Sequence, residues 1–291
     1  MSSYQVLLFY KYVTIEDPAA FAAGFRASAE KHQLTGRVII AEEGINATLE
    51  GLTERTEEFV KELLKDQRLS DMSVKVSEGT GQTFPKLSVK VREEIVGTHF
   101  SKERVDPRTR TAPHLTPEEM KLWYENNKDF VIIDMRNDYE YAGGHFKGSI
   151  NPGLANSRDL PEALPKLEQY KSKKVVTVCT GGIRCEKMSA FLMNNGFEDV
   201  YQLEDGIHGY MEKYPGEDFL GTLYTFDQRV TMDFGGNREI VGKCYRCEVT
   251  SENYVNCANF DCHLHFICCE NCMSPEGAAY CSEACSLVNA T

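Results

Sequence analysis

Three hydrophobic patterns follow one another along the chain. In the first, strand and helix periods interleave. Val6-Leu7-Leu8-Phe9-Tyr10-Lys11-Tyr12 is an apolar run of strand length. Asp17-Pro18 supplies a cap and a first-turn proline for a helix over Ala19 to His32, with Phe21 and Phe25 four apart. Gly36 to Ala41 and Ile45 to Glu50 read as strands about a Glu43-Gly44 turn. Thr53 predicts the cap of a helix to about Lys65, and Ser73 to Ser77 and Leu87 to Val91 alternate as strands. In the second pattern the strands stop alternating. Val131-Ile132-Ile133-Asp134-Met135 and Val175-Val176-Thr177-Val178-Cys179 are β-branched runs, as in parallel strands covered on both faces. Between and after them lie helical segments: Thr116-Pro117-Glu118-Glu119 opening one to about Asn126, Leu160 to Tyr170, Glu186 to Asn195 and Ile207 to Lys213. Val200 to Leu203 is a further short strand. In the third pattern, from about Gly216, Phe219 to Val230 looks extended, and from Cys244 onward the apolar period gives way to cysteines.

The first pattern has the order strand, helix, strand, strand, helix, strand, with one strand added. That predicts an α+β ferredoxin-like (acylphosphatase-like) domain over residues 1–97. Residues 98–114 are polar and aperiodic and read as a linker. Its basic residues Lys102, Arg104, Arg108 and Arg110 make it either a solvated connector or a basic strap facing an anionic substrate. Residues 115–218 alternate strand and helix and predict an α/β domain with a central parallel sheet, whose ligands bind at the carboxyl ends of the strands. Residues 219–291 form a small cysteine-rich region.

Composition narrows the setting. No stretch approaches 18 apolar residues, and Met1-Ser2-Ser3-Tyr4-Gln5 has no signal-peptide character, so no membrane is expected and a cytoplasmic protein is. Thiols stay reduced there, so eleven cysteines need an explanation other than disulfides. Nine of them lie between Cys244 and Cys285. The net charge of −12 gives no support to non-specific nucleic-acid binding.

Cys244-x2-Cys247, Cys257-x4-Cys262, Cys269-x2-Cys272 and Cys281-x3-Cys285 are four pairs, and eight thiolates suit two tetrahedral zinc sites. Each knuckle brings two sulfurs to about 3.7 Å, the edge of a tetrahedron with zinc–sulfur bonds of about 2.3 Å. Interleaved pairing (first with third, second with fourth) and sequential pairing both satisfy the spacing. Cys268 is left over, and His263 and His265 are spare ligands. This segment carries one basic residue, Arg246, against six acidic ones. It is expected to be structural or protein-facing.

The chemistry concentrates at Cys179-Thr180-Gly181-Gly182-Ile183-Arg184-Cys185-Glu186-Lys187. A cysteine between a buried strand and a helix start meets converging backbone N–H groups and the positive end of the helix dipole, which together favour a thiolate. Gly181 and Gly182 permit close backbone approach, and Arg184 offers a fork for an anionic or planar polar group. Cys179 is the expected catalytic residue, and Thr180, Gly181, Gly182, Ile183 and Arg184 are the expected substrate-binding residues. Cys185 reads as a small buried residue or as a resolving thiol. Lys187 reads as a surface lysine, and Asp134, Arg136 and His145 as bracing. No iron-binding triad or dinucleotide fingerprint is present.

This loop resembles the active-site loop of rhodanese domains. Ile132 to Tyr141 and Gly144 to Pro152 resemble the first rhodanese signature, and Gly196 to Ile207 the second. The resemblance implies a persulfide on Cys179. Together with Phe9-Tyr10-Lys11-Tyr12, Ala41-Glu42-Glu43-Gly44-Ile45-Asn46-Ala47 and the cysteine-rich tail, the whole chain resembles the bacterial tRNA uridine-34 hydroxylase family. That resemblance implies tRNA as partner, molecular oxygen as co-substrate, 5-hydroxylation of the wobble uridine and an essential Cys179. On the N-terminal sheet, Lys11, Tyr10, Tyr12, Arg37 and Asn46 are then candidates for facing RNA. A sulfurtransferase or persulfide carrier of the rhodanese type is the alternative.

Overall fold

A computed structural model describes residues 3–100, 105–236 and 238–288. The N-terminal domain runs β1 (Tyr4–Tyr12), α1 (Pro18–Lys31), β2 (Thr35–Ala41), β3 (Gly44–Leu52), α2 (Thr53–Leu63), β4 (Val74–Gly79) and β5 (Leu87–Val91). Its sheet has the order β4-β1-β3-β2-β5, with the added β5 parallel to β2. Asp17 caps α1 through its Oδ1, which accepts from the N–H groups of Ala19 and Ala20 at 3.1 and 2.9 Å. Thr53 does not cap α2. It is the first helical residue, and its hydroxyl donates to the Ser3 carbonyl at 3.0 Å.

Side chains alternate across this sheet, and the alternation decides what the domain does. Leu7, Phe9, Val38, Ile40, Ala47 and Leu49 point into a core with Phe25 and Phe59 of the two helices. Their neighbours Leu8, Tyr10, Arg37, Ile39, Asn46 and Thr48 line a cavity against the second domain.

The second domain contains β6 (His114–Leu115), α3 (Pro117–Glu125), β7 (Val131–Asp134), α4 (Asp138–Gly143), β8 (Gly144–Phe146), α5 (Leu160–Leu167), β9 (Lys174–Val178), α6 (Ile183–Asn194), β10 (Asp199–Leu203) and α7 (Gly206–Lys213). Its sheet has the order β6-β10-β9-β7, and every pairing is parallel. Apolar clusters cover both faces, as the unalternating runs require. Thr116 and Glu119 form the expected capping box. Helix α6 begins at Ile183, three residues earlier than its periodicity indicates, because Gly182 turns the chain at φ 102°.

Among its described residues the segment between the domains is partly packed inward, with Val105, Pro107 and Ala112 buried while Thr109, Arg110 and Pro113 remain exposed. Ala112 is fully buried, and the Thr111 hydroxyl donates to the Glu186 carboxylate at 2.8 Å. Arg108 grips Asp106 and reaches Glu42 at 2.8 Å, so its charge is spent between the domains; Arg110 donates to Asn194 at 3.2 Å. Lys102 and Arg104 lie outside the described residues.

The extended run after the second domain ends early. It forms β11 (Phe219–Gly221) and β12 (Leu223–Tyr224), turns, and returns as β13 (Thr231–Met232). β11 pairs back onto β8, tying the tail to the second domain. β14 (Tyr254–Asn256), β15 (His265–Ile267) and α8 (Glu283–Val288) complete the cysteine-rich module. No described helix is long and apolar enough to cross a membrane.

Candidate active site

Cys179 follows β9 directly and is fully buried at the wall of the cavity. The Gly182 N–H donates to its sulfur at 3.2 Å. The loop carbonyls are turned away: those of Cys179 and Thr180 accept from the N–H groups of Ile207 and His208 at the start of α7, at 2.9 and 3.0 Å. The loop N–H groups are therefore left facing the sulfur. Two glycines make this possible. Gly182 has positive φ, and a Cβ there would lie 2.7 Å from the Tyr10 hydroxyl. Gly206 (φ 65°) sits so close that a Cβ would meet the Cys179 carbonyl oxygen at 2.5 Å and the Gly182 nitrogen at 2.7 Å.

Burial pushes the Cys179 thiol up. The hydrogen bond from the Cys185 thiol, the Arg184 charge and the N–H groups of Cys185 and Arg184 outweigh burial and bring it below its ordinary value. Cys185 moves the opposite way, raised by its own burial and by the neighbouring Cys179 thiolate. One thiolate is thus favoured beside one thiol.

Arg184 lines the cavity, but its fork is already engaged. Nη1 and Nη2 donate to Glu140 at 2.6 and 2.9 Å, and Nη2 to the Thr180 hydroxyl at 3.0 Å. Glu140 is fully buried on α4. Arg184 therefore holds the loop shape and lends its charge to the sulfur. Behind it, Arg136 donates to both Asp134 oxygens, and both residues are fully buried. His145 stacks on Tyr141 with ring centroids 4.2 Å apart. Asp134 and Arg136 are buried bracing residues, and His145 is a packing and hydrogen-bonding residue, its Nδ1 2.9 Å from the Tyr141 carbonyl.

The structure brings Cys179, Thr180, Gly181, Ile183 and Arg184 to one cavity of about 470 Å³, while Gly182 lies behind the sulfur. Of the candidates on the N-terminal sheet, Tyr10, Arg37 and Asn46 line the same cavity. Lys11 instead pairs with Asp71 at 2.7 Å, and the Tyr12 hydroxyl donates to the Ile183 carbonyl at 3.3 Å. Burial, then the Glu186 and Cys179 charges, hold the Tyr10 phenol well above its usual range, so it remains a donor to Glu186 at 3.1 Å.

Lys187 is not a surface lysine. It is buried and crosses to the N-terminal domain, pairing with Glu43 at 2.8 Å and Glu94 at 3.3 Å. Glu186 is buried as well. It accepts from Tyr10, Thr111 and Gln202 and pairs with His114 at 3.0 Å. The domain interface is thus polar and pinned from the first turn of α6. Sequence reasoning missed Glu140, although a buried guanidinium requires a carboxylate. It also missed Phe226, which joins the cavity rim from the tail.

In the tail, the sulfurs of Cys244, Cys247, Cys269 and Cys272 gather in one group and those of Cys257, Cys262, Cys281 and Cys285 in another, each within 4.8 Å. This is the interleaved arrangement. The Cys247–Cys269, Cys262–Cys281 and Cys281–Cys285 sulfur separations are each 3.5 Å, close to the edge of a zinc–sulfur tetrahedron. Cys268 points to the Cys269 carbonyl instead. His265 is committed to Asn256 and Tyr224 through its two ring nitrogens, and so is no ligand.

Residues 4–95 match the family described as UPF0176 acylphosphatase like domain, residues 116–213 the rhodanese-like domain, and residues 220–286 the family described as Rhodanase C-terminal. An acylphosphatase-like sheet laid over the thiolate loop of a rhodanese domain defines a rhodanese-type thiol protein with a site shared between domains. Relatives over the full length narrow the class. A tRNA uridine(34) hydroxylase of Staphylococcus carnosus is 39% identical, covering 95% of this chain and 92% of that one. Another, of Cytophaga hutchinsonii, is 42% identical, covering 98% and 90%. A solved rhodanese-related protein from Thermoplasma volcanium is 26% identical over 37% of this chain and 97% of its own, with a TM-score of 0.31. The chain belongs to the tRNA uridine(34) hydroxylase family.

Proposed function

We propose that this chain is a cytoplasmic enzyme that hydroxylates C5 of uridine 34 in tRNA, with Cys179 as the reacting group. The observation that carries this reading is a buried cysteine sulfur that accepts a loop N–H and lies in a cavity whose other wall is the N-terminal sheet. A thiol carrier that only passes sulfur on needs no such second wall. Thr180, Gly181 and Ile183 line the pocket for the base, and Gly182 and Arg184 keep the sulfur anionic. In the step proposed, the Cys179 sulfur forms a bond to C6 of the uracil, and the ring electron pair moves to C5 and attacks the oxidant. Loss of the C5 proton and expulsion of the thiolate restore the ring. Molecular oxygen is the co-substrate: one atom stays on C5, and the other leaves as water after taking two electrons and two protons from a reductant. In the competing form a persulfide on Cys179 is that reductant: its outer sulfur supplies the two electrons and takes the second oxygen atom, becoming –S–SOH, in place of the release of water.

Two structural zinc ions are inferred, one held by Cys244, Cys247, Cys269 and Cys272, the other by Cys257, Cys262, Cys281 and Cys285. All eight donors are thiols, and neither group leaves an open position, which fits structural and not catalytic zinc.

Nucleoside mass spectrometry of tRNA from a deletion strain tests the function. Complementation with the wild type restores 5-hydroxyuridine derivatives, and Cys179→Ala does not. Altered thiouridine with intact hydroxyuridine would instead establish the sulfurtransferase reading. A Cys179→Ser variant that hydroxylates normally would exclude thiolate addition.

A further inference from the structure

The cavity rim carries an aromatic ring that the thiol chemistry proposed above does not use. Phe226 lies in the turn between β12 and β13, and the residue is 47% exposed. Exposed aromatic rings usually belong to loose loops, but this turn is clamped. Thr225 N–H donates to the Val230 carbonyl at 2.8 Å. Asp227 grips Arg229 at 2.7 Å, and Arg229 reaches across to the Ser77 hydroxyl at 2.9 Å and the Glu78 carbonyl at 3.0 Å on β4. Gln228 N–H donates to Thr83 at 3.2 Å. The tail thus crosses the N-terminal domain and presents one apolar ring to solvent beside the reactive loop.

The ring has a defined setting. The Arg184 guanidinium carbon lies 5.6 Å from its centroid, and Tyr224 meets it edge-on at 5.3 Å. Arg37 donates to the Phe226 carbonyl at 3.4 Å and lines the same cavity, as does Arg158. Among the described residues neither arginine is in an ion pair, although the chain carries a net charge of −12. A half-exposed aromatic residue with two guanidinium groups nearby that form no ion pair among the described residues suits single-stranded nucleic acid, where bases stack on aromatic rings and arginines track the phosphates. A base drawn out of its stack to reach Cys179 leaves its neighbour without a stacking partner.

We propose that Phe226 is the stacking platform for the nucleobase next to the reacting uridine, with Arg37 and Arg158 at the flanking phosphates. This deepens the proposed function and rests on it. It makes the tail part of the substrate site and not only a structural appendage.

The test is binding of the full-length protein to a fluorescent anticodon stem–loop RNA carrying U34, read by anisotropy, with Phe226→Ala, Phe226→Leu and Phe226→Tyr. Thermal melts check that each variant is folded. Phe226→Ala weakens binding by about tenfold or more, Phe226→Leu does not recover it, and Phe226→Tyr does, because tyrosine keeps the π-face and leucine keeps only apolar cover. Wild type that binds while folded Phe226→Ala binds within twofold of it overturns the stacking role and leaves the hydroxylase reading standing. Full rescue by leucine overturns it equally. Wild type that does not bind the stem–loop overturns the reading of function, and the stacking role with it.

Discussion

Lys187→Met should be among the most damaging single changes in this protein, although it touches neither the sulfur nor the rim. The lysine Nζ lies 2.8 Å from Glu43 and 3.3 Å from Glu94, and the three side chains are only 4%, 8% and 13% exposed. Glu94 keeps other partners, since the Thr98 and His99 N–H groups donate to it at 2.7 and 3.2 Å. Among the described residues Glu43 keeps only the Ile95 N–H, at 2.8 Å. Removing the ammonium therefore strands a buried carboxylate, which costs about 3–5 kcal/mol. In a chain of this size that lowers the melting temperature by roughly 6–20 °C. The assay is a thermal melt of Lys187→Met, Glu43→Gln and the double variant. The double variant should recover more than half of the loss, because its glutamine is neutral. A Lys187→Met loss under about 1 kcal/mol, or no recovery in the double variant, would refute the buried bridge. The sign with pH follows from Glu94. Burial raises its carboxyl, but Lys187 and the two N–H groups outweigh burial and hold it below the usual range. Its contribution is full above the ordinary carboxylate value of about 4.3 and is lost as pH falls through its lower folded value.

The remaining predictions concern the sulfur and the tail. Alkylation of Cys179 by iodoacetamide should have its pH midpoint below the value of about 8.5 for a free cysteine, and a midpoint at or above that value would remove the case for a stabilised thiolate. Arg184→Lys should raise that midpoint and lower the melting temperature, because an ammonium cannot make the paired bonds to Glu140. Metal analysis of freshly purified reduced protein should give about two zinc ions per chain. Cys272→Ser should reduce that to about one, while Cys268→Ser retains both.

Much of the fold was legible because it is local. The period switch between the first two domains, the capping box at Thr116 and Glu119, and the cysteine knuckles depend on residues a few positions apart. The reactive loop was legible for the same reason, since strand, cysteine, two glycines and helix are contiguous. Misread residues are those whose role depends on a partner far along the chain. Lys187 looks like any lysine in a first helical turn until Glu43 is placed 144 positions away. Glu186 and Thr111 became a buried contact only when the segment between the domains folded inward. The fork of Arg184 was credited to substrate because its internal claimant, Glu140, lies on another helix. Both histidines near the zinc ligands had ligand chemistry, but His265 is spent on Asn256 and Tyr224, which no spacing rule reveals.

The first turn of α6 also bears on how this protein could be taken apart. Arg184, Glu186 and Lys187 leave the helix in different directions, one to α4, one to the segment between the domains and one to the β2–β3 turn of the N-terminal domain. Successive side chains on a helix are about 100° apart, so adding or deleting one residue there would misdirect all three at once. The rhodanese domain is consequently not a portable unit. Cut out at its boundaries, it would keep the sulfur and the glycines but would strip Lys187 of Glu43 and Glu94 and Glu186 of Tyr10 and Thr111, and leave the cavity with one wall.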